Sequence, residues 1–150
     1  MKKLSFLLII PLLIASCISV QNADEEEENF IRPEDGMLIH ITKGHEDAHS
    51  VLMAFKMATL MADSKDVILY LDIQAGALGV TGAEVVEMRG CDPLSTYIET
   101  LLDKGVEIYA CPTCLSVMGY GPDDLMDGIK PADKDAFFDF TDGRIVTIDY

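Results

Sequence analysis

Apolar and polar positions along this chain alternate between short apolar runs and longer segments with helical spacing. Residues 37–42 make a first run, ended by Lys43 and Gly44, and residues 67–71, 106–110 and 144–149 make three more. Runs of this length that are apolar on both faces predict strands covered on two sides. Between the first two runs, residues 46–62 predict a long helix that is apolar round most of its circumference, through Val51, Leu52, Phe55, Ala58, Leu60 and Met61. A helix of that kind needs cover from more than one neighbour, such as a sheet and a second helix or subunit. Residues 76–82 predict a small flexible loop. A helix is then predicted from Asp92, as cap, and Pro93, at the first position, through Leu101 and Leu102 to Gly105. Shorter helices are predicted at residues 115–120 and near 133–140, with Asp123, Asp124 and Asp127 capping and solvating a further helix start.

Strands alternating with helices predict an α/β fold, a three-layer sandwich on a mostly parallel sheet of about five strands. Ligands of such sheets bind beyond the carboxyl ends of the strands. The loops that follow the strands, residues 43–46, 72–82 and 111–114, should therefore share one rim. That places His45 and the glycine-containing loop near Cys111 and Cys114.

The start of the chain has a different character. Lys2 and Lys3 precede an apolar run, residues 4–14, broken only by Ser5 and Pro11. It is too short to span a bilayer as a mature helix and has the shape of a secretory signal peptide. It ends in Ile14, Ala15, Ser16 and Cys17, which resembles a bacterial lipobox. The expectation is that residues 1–16 are removed and that Cys17 is acylated as the mature N-terminus. The protein would then be exported and held by lipid on the cell membrane or outer membrane, its domain in the periplasm or other extracytoplasmic space. The plainer alternative is an ordinary signal peptide with a cysteine near its cleavage site. Residues 17–35 hold Asp24 and Glu25 to Glu28 with few apolar side chains, and are expected to be an acidic tether. Residues 36–150 form the domain.

The whole chain carries a formal net charge of −15, and losing Lys2 and Lys3 with no acid makes the remainder more acidic still. Such a charge excludes nucleic acid as a partner and electrostatic docking on anionic lipid. Membrane association would come from acyl chains alone.

The chemistry is expected at Cys111, Pro112, Thr113 and Cys114, between a predicted strand and a predicted helix. A thiol at the first turn of a helix meets unpaired backbone N–H groups and a dipole that favours the thiolate, which lowers its pKa and makes it reactive. Two thiols at this spacing can also close a disulfide, and exported proteins live where disulfides persist. A bridge over two residues constrains the unfolded chain little, however. A thioredoxin-like oxidoreductase also suits a Cys-Pro-x-Cys before a helix, but that fold places its pair near the start of the domain. Cys91 reads as a partly buried free thiol, with a resolving or relay role as the alternative. A zinc site from the three cysteines and one histidine would have an unfamiliar spacing. His45 and His49 would share a helix face and, with Asp47 and His40, make only a weak metal set. No metal and no cofactor are expected. Met53, Met57 and Met61 recur every four residues, as a core or subunit-contact stripe does.

The order of segments also resembles the DsrE/DsrF-like family. The likeness rests on Gly44 before the helix containing Leu52 to Ala58, on the strand from Asp66 to Asp72, on residues 105–115 with both cysteines, and on residues 124–128. It spans residues 36–150, and the cysteine segment is its most specific part. The resemblance implies a compact α/β fold and self-association into trimers or hexamers. In the family's best-understood branch it implies intracellular sulfur relay, in which a cysteine takes sulfur as a persulfide and passes it on. Cys114 stands at the position of the second cysteine in the Cys-x-x-Cys-Leu form of the motif. This chain departs from that branch by its export signal. The reading is a thiol-based sulfur carrier, with Cys114 accepting sulfur from a donor protein or small sulfur compound and Cys111 resolving it. Cys91 and His45 are the accessory candidates. An oligomeric scaffold with structural cysteines and a periplasmic dithiol oxidoreductase are the alternatives.

Overall fold

The computed structural model describes residues 35–135, 140 and 143–150. Cys17, the signal segment and nearly all of the acidic tether lie outside the described residues, as does part of the predicted helix near 133–140. Among the described residues no helix is long and apolar enough to cross a membrane.

Five strands, β1 (Gly36–Ile41), β2 (Asp66–Leu71), β3 (Glu107–Ala110), β4 (Ile129–Pro131) and β5 (Ile145–Asp149), form one sheet in the order β4-β3-β2-β1-β5. Every pairing is parallel. The helices α1 (Ala48–Met61), α2 (Leu94–Asp103) and α3 (Pro112–Met118) fall in the β1–β2, β2–β3 and β3–β4 connections. The four long apolar runs are strands, as expected. The three-residue β4 follows no apolar run, and it is the register with β3, from Ile108 opposite Ile129 to Ala110 opposite Pro131, that defines it.

Alternation along the strands divides the sheet into two unlike faces. Ile39, Ile41, Val67, Leu69, Leu71, Ile108 and Ile129 point to one face and join Val51, Leu52, Phe55 and Ala58 of α1 and Ile98 and Leu101 of α2 in a single buried core. The other face carries Leu38, His40, Ile68, Tyr70, Glu107, Tyr109 and Lys130. Thus the strands expected to be apolar on both faces are apolar on one and mixed on the other. Phe140, between β4 and β5 in the chain, is placed against this second face. A Cβ added to Gly36 would come within 2.7 Å of its ring. Phe140 also lines a cavity with Ile68 and Tyr109. Glycine at position 36 is what lets this ring approach the strand.

Helix starts follow local chemistry, with one difference from the sequence reading. Asp47 caps α1 by accepting from the Ser50 N–H at 3.1 Å and the Ser50 hydroxyl at 2.7 Å. Asp92, expected to cap α2, does not; Pro93 holds the cap position with no side-chain bond, and the Asp92 N–H donates to the Tyr97 hydroxyl instead. The predicted flexible loop at residues 76–82 is also more ordered than expected. A 3-10 segment, Ile73–Gly79, buries Ala75, Gly76, Leu78 and Gly79. Gly76 lies under α3, where a Cβ would meet Met118 at 3.0 Å and Leu115 at 3.6 Å.

Candidate thiol site

The thiol site is assembled where β2 and β3 end side by side. The Cys111 N–H donates to the Leu71 carbonyl at 2.9 Å, which extends the ladder one residue beyond β3 and fixes the start of the turn. Cys111 keeps extended backbone and caps α3, its Sγ accepting from the Cys114 N–H at 3.4 Å. Pro112 takes the first helical position, where its missing N–H costs nothing. Fully buried Leu115 pins α3 to the core, and Gly119, at φ 87°, ends it. Cys114 is thereby held one turn above Cys111. Both are free, half-buried thiols.

From the β2 side, Asp72 reaches the same point. The Cys114 Sγ donates to Asp72 Oδ1 at 2.9 Å, and the Ile73 N–H donates to that oxygen at 2.8 Å and approaches the Cys114 Sγ at 3.3 Å. Ile73 makes this double contact with φ at 50°. That is the left-handed region, which a β-branched residue enters only at a cost of about 1–3 kcal/mol. The strain turns its N–H back into the site. The second Asp72 oxygen faces His40 Nε2 at 3.3 Å, and His40 Nδ1 lies 2.8 Å from Asp149 Oδ1. Each ring nitrogen of His40 thus faces a carboxylate oxygen.

The register explains why these groups meet. His40, Tyr70, Tyr109 and Lys130 are direct partners across β1, β2, β3 and β4, and Asp149 of β5 pairs with His40. They form one row across the second face, near the carboxyl ends of the strands. His40 and Tyr70 stack with ring centres 5.6 Å apart. Lys130 bonds Glu107 at 2.6 Å and sits 5.9 Å from the centre of the Tyr109 ring, whose hydroxyl donates to Glu107 at 2.7 Å.

The electrostatics run against the expected activation of Cys114. The hydrogen bond to the Asp72 carboxylate, then burial and the contact with Cys111, push its pKa up to about 12; only the Ile73 N–H pulls it down. At 7 residues, α3 has too little dipole to outweigh a carboxylate 2.9 Å away. Cys114 therefore rests as a neutral thiol, not as the thiolate that the strand-to-helix position suggested. Burial raises the Asp72 carboxyl, but hydrogen bonds from Cys114, Ile73 and His40 outweigh it and hold it below the usual carboxylate range. Burial and a hydrogen bond to Cys111 push the Tyr70 phenol up.

The expected common rim exists. The Gln74 N–H donates to the Thr42 carbonyl at 3.2 Å, joining the loop after β1 to the one after β2. The accessory candidates are not drawn to the thiols, however. His45 turns to the Glu84 carbonyl at 3.0 Å. Cys91 lines a separate cavity with Lys56, Thr59, Leu60 and Tyr97. The weak metal set of His40, His45, His49 and Asp47 does not assemble among the described residues, where Asp72, Cys111 and Cys114 instead bring three donor atoms within 4.8 Å. Sequence reasoning passed over Asp72 as a site residue. Its signal was position alone: it ends the strand immediately before the loop that shares the cysteine rim.

Comparison with known proteins accords with this architecture. No curated protein matches the chain. Among solved structures, the crystal structure of the ychN protein from E. coli matches with a TM-score of 0.62 at 18% identity, covering 76% of this chain and 99% of that one. MTH1491 from Methanobacterium thermoautotrophicum, a protein of unknown function, matches with a TM-score of 0.50 at 21% identity, covering 78% and 99%. At such identities the likeness is one of fold. The sequence profile of the DsrE/DsrF/DrsH-like family matches residues 36–146, from the first residue of β1 into β5 and across both cysteines. On that match and the all-parallel five-stranded sheet beneath it, the chain belongs to the DsrE/DsrF/DrsH-like family.

Proposed function

We propose that the protein is a thiol-based sulfur carrier in which Cys114 accepts a sulfane sulfur and Cys111 resolves the product. The observation that carries this reading is the close group of two free thiols and one carboxylate at the carboxyl-terminal rim, with the Cys114 Sγ 2.9 Å from Asp72. Family membership supports it, since sulfur relay is what the resemblance implies. In loading, the Cys114 sulfur attacks the outer sulfur of a persulfide or polysulfide donor, and its proton is handed by way of Asp72 to the departing donor sulfur. The donor sulfur–sulfur bond breaks, the donor leaves as a thiol, and Cys114 becomes a persulfide. In discharge an acceptor thiol takes the outer sulfur. In the absence of one, Cys111 attacks the inner sulfur of Cys114, forming a disulfide and expelling hydrosulfide.

Exposed Ile73, Val117 and Tyr120 lie on the segments that carry Asp72 and the cysteines, an apolar border suited to a protein donor or acceptor. As part of the same proposal, the domain acts as a trimer or hexamer, outside the cytoplasm and held to the membrane by lipid on Cys17. Intact-mass spectrometry of the reduced protein after polysulfide treatment tests the carrier role. Persulfide on the Cys111→Ser variant, and disulfide with released hydrosulfide from the unaltered protein, are expected. No added sulfur at either cysteine, under conditions that load a free small thiol, overturns the reading. Disulfide exchange with an unfolded substrate and no sulfur uptake would instead mark a dithiol oxidoreductase.

A further inference from the structure

The group that holds Cys114 as a thiol also has the make-up of a metal site. One donor atom each from Asp72, Cys111 and Cys114 lie within 4.8 Å of one another. Tetrahedral zinc, with sulfur at about 2.3 Å and oxygen at about 2.0–2.2 Å, places neighbouring donors about 3.5–3.8 Å apart. The Cys114 Sγ and Asp72 Oδ1 stand at 2.9 Å and no pair in the group exceeds 4.8 Å. Shifts of about 1 Å in half-buried side chains bring all three onto one ion. The surroundings are already those of bound ligands. Each sulfur faces one backbone N–H, Cys111 that of Cys114 at 3.4 Å and Cys114 that of Ile73 at 3.3 Å. The Asp72 oxygen turned away from the sulfur faces His40 at 3.3 Å. Outer hydrogen bonds of this kind orient metal ligands and spread their charge.

We propose that Asp72, Cys111 and Cys114 bind a thiophilic divalent cation of the zinc class, with His40 as the positioning residue for the Asp72 carboxylate. Two thiolates with one carboxylate select such an ion over magnesium or calcium, which take oxygen ligands. Three protein donors leave a fourth position for water or an incoming sulfur. Binding replaces two S–H bonds by two sulfur–metal bonds and releases two protons to solvent, with no electron transfer. The charge of the site is unchanged, because two protons are exchanged for one dication. On the sulfur-carrier reading, on which this consequence rests, an ion held by both sulfurs blocks loading of Cys114.

The test is cobalt(II) titration of the reduced full-length chain, read by thiolate-to-cobalt charge-transfer absorption. One ion per chain is expected, displaced by zinc and lost in Cys111→Ser and Cys114→Ser. Asp72→Asn weakens binding, and His40→Asn weakens it by roughly 10- to 100-fold while keeping the band. No band, a band that survives both serine variants, or an unchanged affinity in Asp72→Asn overturns the proposal. A second readout needs no variant: one equivalent of zinc slows alkylation of Cys111 and Cys114 but not of Cys91, and equal rates with and without zinc would refute the site. Sulfur uptake is read separately, by mass spectrometry of metal-free protein. Uptake without a cobalt band sinks the metal proposal alone, and a band without uptake sinks the carrier reading alone.

Discussion

The two faces of the sheet come from the same five strands, one residue out of step, and they do different work. On the face under α1 and α2, Ile39, Leu69, Leu71 and Ile108 have no solvent exposure and pack against Phe55 and Leu101, equally buried. On the opposite face the corresponding row runs Asp149, His40, Tyr70, Tyr109, Lys130, with charges, rings and hydrogen bonds in place of aliphatic packing. Stability is concentrated on the first face. The second is where Asp72 is tied to the row through His40, so that it can hold Cys114. The exposed and half-exposed ion pairs of this face contribute little net folding energy, but through Asp72 the face keeps the proton on Cys114.

That division can be broken most severely at its apolar side. Phe55→Ala, beneath the sheet, should cost about 3–5 kcal/mol, seen in urea unfolding as a lower midpoint with little change of slope. A loss below 1 kcal/mol would mean that the core does not depend on this face.

The next largest effect is chemical. Asp72→Asn keeps an acceptor for the Ile73 N–H but removes the carboxylate that raises the Cys114 thiol to about 12. Its thiolate should then form at lower pH, with burial and the Cys111 contact still holding it above the ordinary thiol range. Removing an anion favours the anionic sulfur, so alkylation of Cys114 at pH 8 becomes faster, by about tenfold or more, since each pKa unit is a factor of ten in thiolate. The unaltered protein should show reactivity still climbing above pH 10. An unchanged profile in Asp72→Asn would remove the carboxylate from the account.

The apolar face could be read from the sequence and the polar row could not, for a physical reason. Aliphatic residues in short runs between helical segments announce a buried parallel sheet whatever their order, so four strands, the α/β class and the shared rim were all legible. Residues 129–131 form β4 through pairing with β3, a long-range fact with no local apolar signal. The row on the second face depends on register, because His40 meets Tyr70 and Asp149 only when three strands are aligned to the residue. Cys111 and Cys114 stood out by spacing. The raised pKa of Cys114 did not, because the carboxylate responsible is 42 residues away in sequence.

Two smaller substitutions sharpen the contrast. His40→Asn removes contacts to Asp72 and to the mostly exposed Asp149, and should cost about 1 kcal/mol or less in unfolding. A loss of 3 kcal/mol would make the row structural instead. Lys130→Met, at the far end, breaks an exposed pair with Glu107 and should change stability by about 0–1 kcal/mol. Because Lys130 is the main reason that the Glu107 carboxyl lies low, with Tyr109 second, that carboxyl should rise toward its ordinary value, observable by NMR titration.

The carrier role stands or falls on which sulfur takes the load. Peptide mapping after exposure to polysulfide labelled with heavy sulfur isotope should find the label on Cys114 in the Cys111→Ser protein and none on Cys111 in the Cys114→Ser protein. Label on Cys91 alone, or on neither member of the pair, would contradict the account.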